Sequence, residues 1–211
     1  GKKILTYGLS KKCNYSVTNI KIIKKNNTYL SSFDLIENFE KKRILKNFIS
    51  PLLGEHNIKN ILGSISVSRG LKISYPKIKK ALKSFSGVKR RFTILYKSKN
   101  NLIIDDYAHH PIEISETLKS LRQITRKEII SIFEPHRYSR ISAMIYDFIH
   151  CFKNSNQIFI LPVFSAGEKK INKVDSAFFY KKLREEYTDK KVYLSEHDEV
   201  FFDKLKEKII P

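Results

Sequence analysis

The 211-residue sequence is poor in several residue types: it has no tryptophan, one methionine, two cysteines and seven glycines. Cys13 and Cys151 are too few and too far apart for a disulfide framework or a zinc site, so a reducing cytoplasm is the simplest expected location. No apolar run approaches the roughly 20 residues of a membrane span, and we expect no membrane partner. Neither phosphate-binding motif, G-x-x-x-x-G-K-[ST] or G-x-G-x-x-G, occurs. If the protein uses ATP, the residues that grip the phosphates are not in this sequence.

Positive charge is in large excess, with 41 Lys and Arg against 21 Asp and Glu and a formal net charge of +20. The chain is also rich in Ile and Asn and poor in Ala, which is the bias that A/T-rich codons produce. Only 9 of the 41 basic residues are arginine, the side chain preferred for phosphate and base contacts. Because the lysines are scattered, we interpret the charge as incidental and expect no specific nucleic-acid partner. A basic nucleic-acid-binding module remains an alternative.

The first part of the chain mixes strands and helices. Strands are predicted over 2–7 and 17–23, helices over about 57–68 and from 75–76 to 85–87, and the segment 31–50 has no clear assignment. The small residues Gly63, Ser64 and Ser66 would allow close packing of the first helix. The short basic connection at 88–91 marks a domain boundary, which gives domains of 1–88 and 89–211.

After this boundary, strands alternate with helices. Strands are predicted over 92–96, 102–105, 128–133, 157–161 and 191–194, and helices over 111–124, 140–152, 175–187 and from about Asp198. Such alternation predicts an α/β domain with a mostly parallel, Rossmann-like sheet covered on both faces.

Titratable and cationic residues follow the predicted strands, where ligands bind in open parallel sheets. The segments are 105–111, 134–140, 162–168 and 195–198. Asp105 and Asp106 could bind a ligand or cap the next helix, and adjacent His109 and His110 are poor candidates for a metal site. Arg137 and Arg140 could both turn towards one carboxylate or phosphate, or form a solvated pair.

A second candidate site lies at the start of the first predicted helix. Asn57 and Asn60 could project together there, and asparagine amides pair well with an adenine edge. The alternative is that Asn57 only caps the helix.

Six segments together resemble the Mur ligases of peptidoglycan synthesis. They are Thr6-Tyr7-Gly8, Gly54-x-His56-Asn57-x-x-Asn60, Phe85-x-Gly87-Val88-Lys89-Arg90-Arg91-Phe92, Asp105-Asp106-Tyr107-Ala108-His109-His110-Pro111, Pro135-His136-Arg137-Tyr138-Ser139-Arg140 and Ala166-Gly167-Glu168. They occur in family order across about 170 residues. The resemblance is to the members that join L-alanine to UDP-N-acetylmuramate.

The resemblance implies an ATP-dependent ligase in which the muramoyl carboxylate is phosphorylated and the amine of L-alanine attacks the acyl phosphate. By similarity, His56, Asn57 and Asn60 hold the adenine, and Arg91, Asp106 and Tyr107 meet the nucleotide across a domain interface. His109 is the catalytic residue near the reacting groups. His136, Arg137 and Arg140, with help from Tyr107, bind the incoming alanine.

The resemblance also implies that this chain covers the later part of a central ATPase domain and most of a C-terminal domain. We expect a fragment that is inactive alone, with the Mg²⁺ ligands in a missing N-terminal part and no metal site here. The nearest alternative is the related ligase that recycles murein tripeptide onto the same nucleotide sugar. We do not expect that ligase to carry Pro-His-Arg-Tyr-Ser-Arg, because a peptide needs a roomier site, so this segment favours alanine.

Overall fold

The computed structural model describes residues 4–26, 28–196 and 199–209. The chain divides into two compact units, Gly1–Lys89 and Arg90–Pro211, a division that falls one residue from the boundary proposed above. Within the described ranges, no helix is both long and apolar enough to cross a membrane.

Unit 1 begins with an antiparallel meander and ends with two helices. Its strands are β1 (Tyr15–Lys25), β2 (Thr28–Asn38) and β3 (Lys42–Ser50), in that order, and its helices are α1 (Glu55–Gly70) and α2 (Tyr75–Ser84). Both helices lie where their apolar periodicity and the proline at Pro76 predict them. The unassigned segment 31–50 contains most of β2 and all of β3.

The strand expected over 2–7 is not a strand in its described part, and residues 2 and 3 lie outside the described ranges. Only Tyr7 forms a bridge, to Tyr15. The side chain of Asn14 explains this, since its Oδ1 accepts hydrogen bonds from the amide and hydroxyl of Thr6, at 3.0 and 3.1 Å. A side-chain acceptor thus replaces a strand partner at this point.

The core of unit 1 forms where α1 packs against the meander. Ile58, Ile61, Leu62 and Ile65 are buried in one cluster with Phe33, Leu35 and Phe48. The small residue Gly63 permits a further contact, because a Cβ there would come within 3.0 Å of the Tyr7 ring. The expected close packing at this helix therefore occurs.

Unit 2 contains a hairpin and a parallel sheet. The hairpin pairs β4 (Thr93–Lys97) with β5 (Leu102–Asp105), and the sheet has the order β6 (Ile130–Phe133), β7 (Gln157–Ile160), β8 (Lys191–Leu194). Its helices are α3 (Pro111–Ile124), α4 (Tyr138–Ala143), α5 (Ile145–Cys151), α6 (Ser176–Glu186) and α7 (Glu199–Ile209).

These elements confirm the α/β class, with two local differences. The first two strands pair antiparallel with each other as a separate hairpin. The helix expected over 140–152 is broken at Met144, whose φ of −129° is outside the helical region. Asp198, the expected start of the last helix, lies outside the described residues.

Helices pack on both faces of the parallel sheet. On one face Phe133, Ile158 and Ile160 share a buried cluster with residues of α3, α5 and α6. On the other face Phe159 packs against Phe201 of α7. The polar segments follow the carboxyl ends of the strands.

Candidate functional site

The segments that follow β5, β6 and β7 come together in unit 2. A row of four rings joins them, with centroids 5.0 Å apart for Tyr107 and His109, 5.6 Å for His109 and His136, and 5.2 Å for His136 and Phe164. We refer to these four residues as the ring row. The sequence placed all four in segments that follow predicted strands, and the structure brings them into contact.

Asp106 is held by the chain's own donors. Its Oδ2 accepts hydrogen bonds from the Phe92 amide at 3.0 Å and the Thr117 hydroxyl at 2.9 Å, and its Oδ1 accepts one from the Ala108 amide at 2.8 Å. Phe92 has a φ of 54°, so this carboxylate stabilises an unfavourable backbone conformation. Asp106 therefore fixes the turn that carries Tyr107, and it is not the cap of α3.

His110 and Glu113 cap the N-terminus of α3. The Glu113 Oε2 accepts hydrogen bonds from the amides of His109 and His110, both at 3.2 Å, and the His110 side chain accepts one from Ile112. Burial raises the pKa of the Glu113 carboxyl, but these amide hydrogen bonds outweigh it and hold the pKa below its usual value. His110 thus has a structural role here.

The hydrogen-bond partner of His109 determines which ring nitrogen carries the proton in the neutral form. The Nδ1 lies 2.8 Å from the carbonyl oxygen of Tyr107, and a carbonyl can only accept a hydrogen bond. Nδ1 therefore carries the proton, which leaves the lone pair of neutral His109 on Nε2. This nitrogen is suited to accept a proton from a reacting group.

His136 has the opposite arrangement. Its Nδ1 faces the Arg140 Nη1 at 3.5 Å, and a guanidinium can only donate, so neutral His136 carries its proton on Nε2. Burial, and then the positive charge of Arg140, lower the pKa of His136. Both effects favour the neutral form of His136. Arg140 also reaches the His109 carbonyl at 3.5 Å and so links the two histidine segments.

Arg137 lies beside Glu168, from the loop after β7. The guanidinium Nη1 is 3.6 Å from the Glu168 Oε1, and 48% of the Arg137 side chain is exposed. We call the edge of unit 2 formed by the segments 105–111, 134–140 and 162–168 the rim. Arg137 and Arg140 both lie at this rim, but their guanidinium groups contact different partners in this structure. The Glu168 carboxylate, which accepts the Ser139 hydroxyl and amide, has a pKa below its usual value because of those hydrogen bonds.

The two basic residues at the start of unit 2 differ in their contacts. Arg90 pairs with Asp105, at 3.3 Å from Nε to Oδ2, and its guanidinium lies 4.9 Å from the centre of the Tyr107 ring. Arg91 is exposed, and its charge contributes to the lowered pKa of Glu113. Tyr107 keeps 47% of its surface exposed, so its ring is available to a ligand.

The predicted adenine site lies on the first two turns of α1 in unit 1. His56 and Asn60 are four residues apart and share a helix face, and Asn60 is exposed. The Asn57 side chain donates to the Leu53 carbonyl at 2.8 Å, while Gly54, with a φ of 92°, is the residue at the cap position. The alternative that Asn57 caps the helix is thus wrong, although its side chain does brace the entry to α1.

Three neighbours of these residues received no individual role from the sequence: Thr117, Phe164 and Glu168. Thr117 lies in the middle of α3, and nothing in the sequence around it indicates a functional role. Phe164 and Glu168 belong to the polar segment after β7, and Glu168 is part of a matched motif, but nothing in the sequence pairs it with Arg137. No group of three or more His, Cys, Asp or Glu within the described ranges could hold a metal ion.

Comparison with known proteins identifies the family of this chain. The family described as Mur ligase, glutamate ligase domain, matches residues 90–208. The UDP-N-acetylmuramate–L-alanine ligase of Agrobacterium fabrum is 38% identical over 178 residues, covering 83% of this chain and 37% of the relative. The enzyme of the same name from Maricaulis maris is 34% identical over 183 residues, covering 87% of this chain and 39% of the relative.

A solved structure shows the same fold. The crystal structure of UDP-N-acetylmuramate-alanine ligase from Thermotoga maritima superposes with a TM-score of 0.69 at 24% identity, covering 98% of this chain and 41% of that one. The chain thus spans about two fifths of the length of the proteins it matches.

Proposed function

This chain belongs to the Mur ligase family, and we propose that its residues serve an ATP-dependent ligase that joins L-alanine to UDP-N-acetylmuramate in peptidoglycan synthesis. The observation that carries the proposal is the rim of unit 2, where Arg137, Arg140 and the ring row lie beside one another. The names of the curated relatives support the same substrates.

The two arginines would bind the carboxylate of alanine. Arg137 has an exposed guanidinium whose remaining donors face solvent, and Arg140 is held at the base of the rim by His109 and His136. A guanidinium presents donors in a planar fork that fits a carboxylate. Anchoring the carboxylate in this way leaves the amine free to reach an acyl group, and such positioning lowers the barrier to a two-substrate reaction.

His109 would assist the attack of the amine. The nitrogen must lose a proton as it forms the amide bond, and the Nε2 of His109 has the lone pair to accept it. Neutral His136 would donate a hydrogen bond from Nε2 to the amino acid without adding positive charge beside the amine. Tyr107, at the other side of His109, would form a wall of the same site.

The nucleotide would use a different set of residues. His56, Asn57 and Asn60 would hold the adenine on unit 1, and Arg91 and Tyr107 would contact the nucleotide. The oxygens of Asp106 are occupied by three donors of the chain, so Asp106 would act by shaping the turn under Tyr107. Since the described residues offer no set of metal ligands, no step here is assigned to Mg²⁺.

The proposal is tested in a complete enzyme carrying these residues, for example a fusion of this chain to the remaining N-terminal part of the Agrobacterium fabrum relative. Arg137→Ala should lower kcat/KM for L-alanine at least about tenfold, since a hydrogen bond to a charged group contributes about 1.5–3 kcal/mol. The apparent constants for ATP and the nucleotide sugar should change far less. Arg137→Lys should rescue only partly.

Arg184→Ala is the matched control, because this arginine is exposed on α6, outside the rim segments. If Arg137→Ala raised the KM for ATP and left alanine untouched, the rim would bind nucleotide phosphate instead. Faster turnover with murein tripeptide than with L-alanine would favour the recycling ligase.

A further inference from the structure

The loop after β7 holds the segment after β6 by its backbone. The amide of Phe164 donates to the Pro135 carbonyl at 2.8 Å, and the amide of Arg137 donates to the Phe164 carbonyl at 2.9 Å. These two hydrogen bonds flank His136, which forms a parallel bridge with Phe164. The two loops therefore behave as one short piece of sheet at the rim.

The same loop then turns sharply and returns a carboxylate to that segment. Ala166 and Gly167 have φ values of 50° and 83°, and the Glu168 amide donates to the Ser165 carbonyl at 3.1 Å. The Glu168 carboxylate accepts the Ser139 hydroxyl at 2.6 Å on Oε1 and the Ser139 amide at 3.0 Å on Oε2. Both oxygens are thus fixed on the turn that begins α4.

The backbone of Arg137 has an unfavourable conformation that neighbouring contacts must stabilise. Its φ of 72° is a left-handed conformation that costs a non-glycine residue of the order of 1–3 kcal/mol. Its guanidinium touches Glu168 at one point only, 3.6 Å from Oε1. The contact orients one edge of the planar group and leaves its other donors open to solvent.

We propose that Glu168 is a positioning residue, which orients the Arg137 guanidinium for the amino-acid carboxylate; the proposal rests on the function proposed above. A carboxylate beside a carboxylate-binding arginine could instead be an internal competitor that the substrate must displace. The anchoring of Glu168 distinguishes these roles. Two hydrogen bonds of 2.6 and 3.0 Å hold Glu168 to Ser139, whereas the Arg137 side chain is 48% exposed and meets Glu168 only at 3.6 Å, so displacing Glu168 would break more contacts than turning Arg137.

The test is made by NMR on the 211-residue chain, with isotope-labelled arginine and the Arg137 Nε–Hε signal assigned from Arg137→Ala. In the free protein, Glu168→Gln should speed guanidinium rotation of Arg137 about two- to fivefold, as expected for losing an exposed ion pair. Glu168→Asp, which keeps the charge, should restore part of the restriction. Glu185→Gln is the matched control, since Glu185 is an exposed carboxylate paired with Lys182 on α6. Unchanged rotation in Glu168→Gln would overturn the proposal.

Titration with L-alanine supplies the second readout. Wild-type protein should show binding that Arg137→Ala removes, and Glu168→Gln should weaken it about two- to fivefold. Tighter binding by Glu168→Gln would mean that Glu168 competes with the substrate, and would overturn a positioning role. If Arg137→Ala abolished binding and Glu168→Gln had no effect on it, the proposed function would stand and this inference would fail. If wild-type protein bound no alanine, the amino-acid role of Arg137 would be contradicted, and the inference that Glu168 orients Arg137 for the amino-acid carboxylate would fail with it.

Discussion

Replacing Asp106 by alanine tests whether this residue supports the rim or only contacts a ligand. The substitution removes three hydrogen bonds, to the Phe92 amide, the Ala108 amide and the Thr117 hydroxyl, all between 2.8 and 3.0 Å. A hydrogen bond to a charged group contributes about 1.5–3 kcal/mol, so the simple sum is about 5–9 kcal/mol. Because Asp106 is only half-buried, water replaces part of this. We expect unit 2 to lose about 2–4 kcal/mol of unfolding free energy.

Urea unfolding followed by hydrogen exchange measures the effect and locates it. For a domain of this size, a loss of about 3 kcal/mol moves the midpoint by roughly 1–3 M urea. Exchange should accelerate most at the amides of Phe92 and Ala108, which lose their acceptor. Thr117→Val removes only one of the three donors and should cost about 1 kcal/mol. In the double variant the two losses should not add, because both remove the same contact.

A loss below about 0.5 kcal/mol in Asp106→Ala would refute this reasoning, since that is the range of surface substitutions without a structural role. Asp106 would then be free to serve a ligand directly. A loss as large as expected has a further consequence for kinetics. Any effect of Asp106 variants on nucleotide binding must then be compared with Thr117→Val, which disturbs the same turn and leaves the carboxylate in place.

Three further outcomes are expected. Because the pKa of Glu113 is lowered in the folded state, its carboxylate stabilises unit 2 at pH values above the ordinary carboxyl pKa of 4.5. This stabilisation is lost as the pH falls through the lower pKa of the folded state. Glu113→Gln should therefore remove that part of the acid sensitivity in urea midpoints measured from pH 6 to pH 3. Phe179→Ala, in the buried cluster of unit 2, should lower the unfolding free energy by about 3–5 kcal/mol in a thermal unfolding assay. In the same assay Phe202→Ala, at an exposed site on α7, should change it by less than about 0.5 kcal/mol. Burial raises the pKa of the Cys151 thiol well above its usual range, so iodoacetamide should spare Cys151 in the folded protein and modify it in urea; equal labelling in both states would contradict this.

The sequence predicted elements well where one periodicity ran without interruption. Helix α3 has proline at its first position, apolar residues at helical spacing and observed bounds that equal the predicted ones. Strand β2 was missed because a register shift between Phe33 and Leu35 interrupts its two-residue alternation. The break at Met144 was missed because the apolar pattern continues across it.

Pairing between distant segments was harder to predict from the sequence than the helices and strands themselves. The strands β4 and β5 were recognised, but their exposed residues, including Leu95 and Ile103, carry no pattern that tells a separate hairpin from the edge of a parallel sheet. The same limit applies to the rim. The rule that ligands bind at the carboxyl ends of strands placed His109, His136 and Arg137 in one region, but not the contact of Arg137 with Glu168, 31 residues away.

Asp106 and Glu168 show why motif residues in one site need different tests. Both are carboxylates within matched motifs, and in both the oxygens accept hydrogen bonds from the backbone and a hydroxyl of the chain itself. Each also lies beside a residue with positive φ: Asp106 accepts the amide of Phe92, and Glu168 contacts the guanidinium of Arg137. Their charge is therefore used to hold neighbouring groups of the chain in place, while Tyr107 and Arg137 keep the exposed surface that a ligand can contact. Substitution of the carboxylates should consequently change stability or side-chain motion before any ligand is added, and substitution of Arg137 should chiefly change ligand binding.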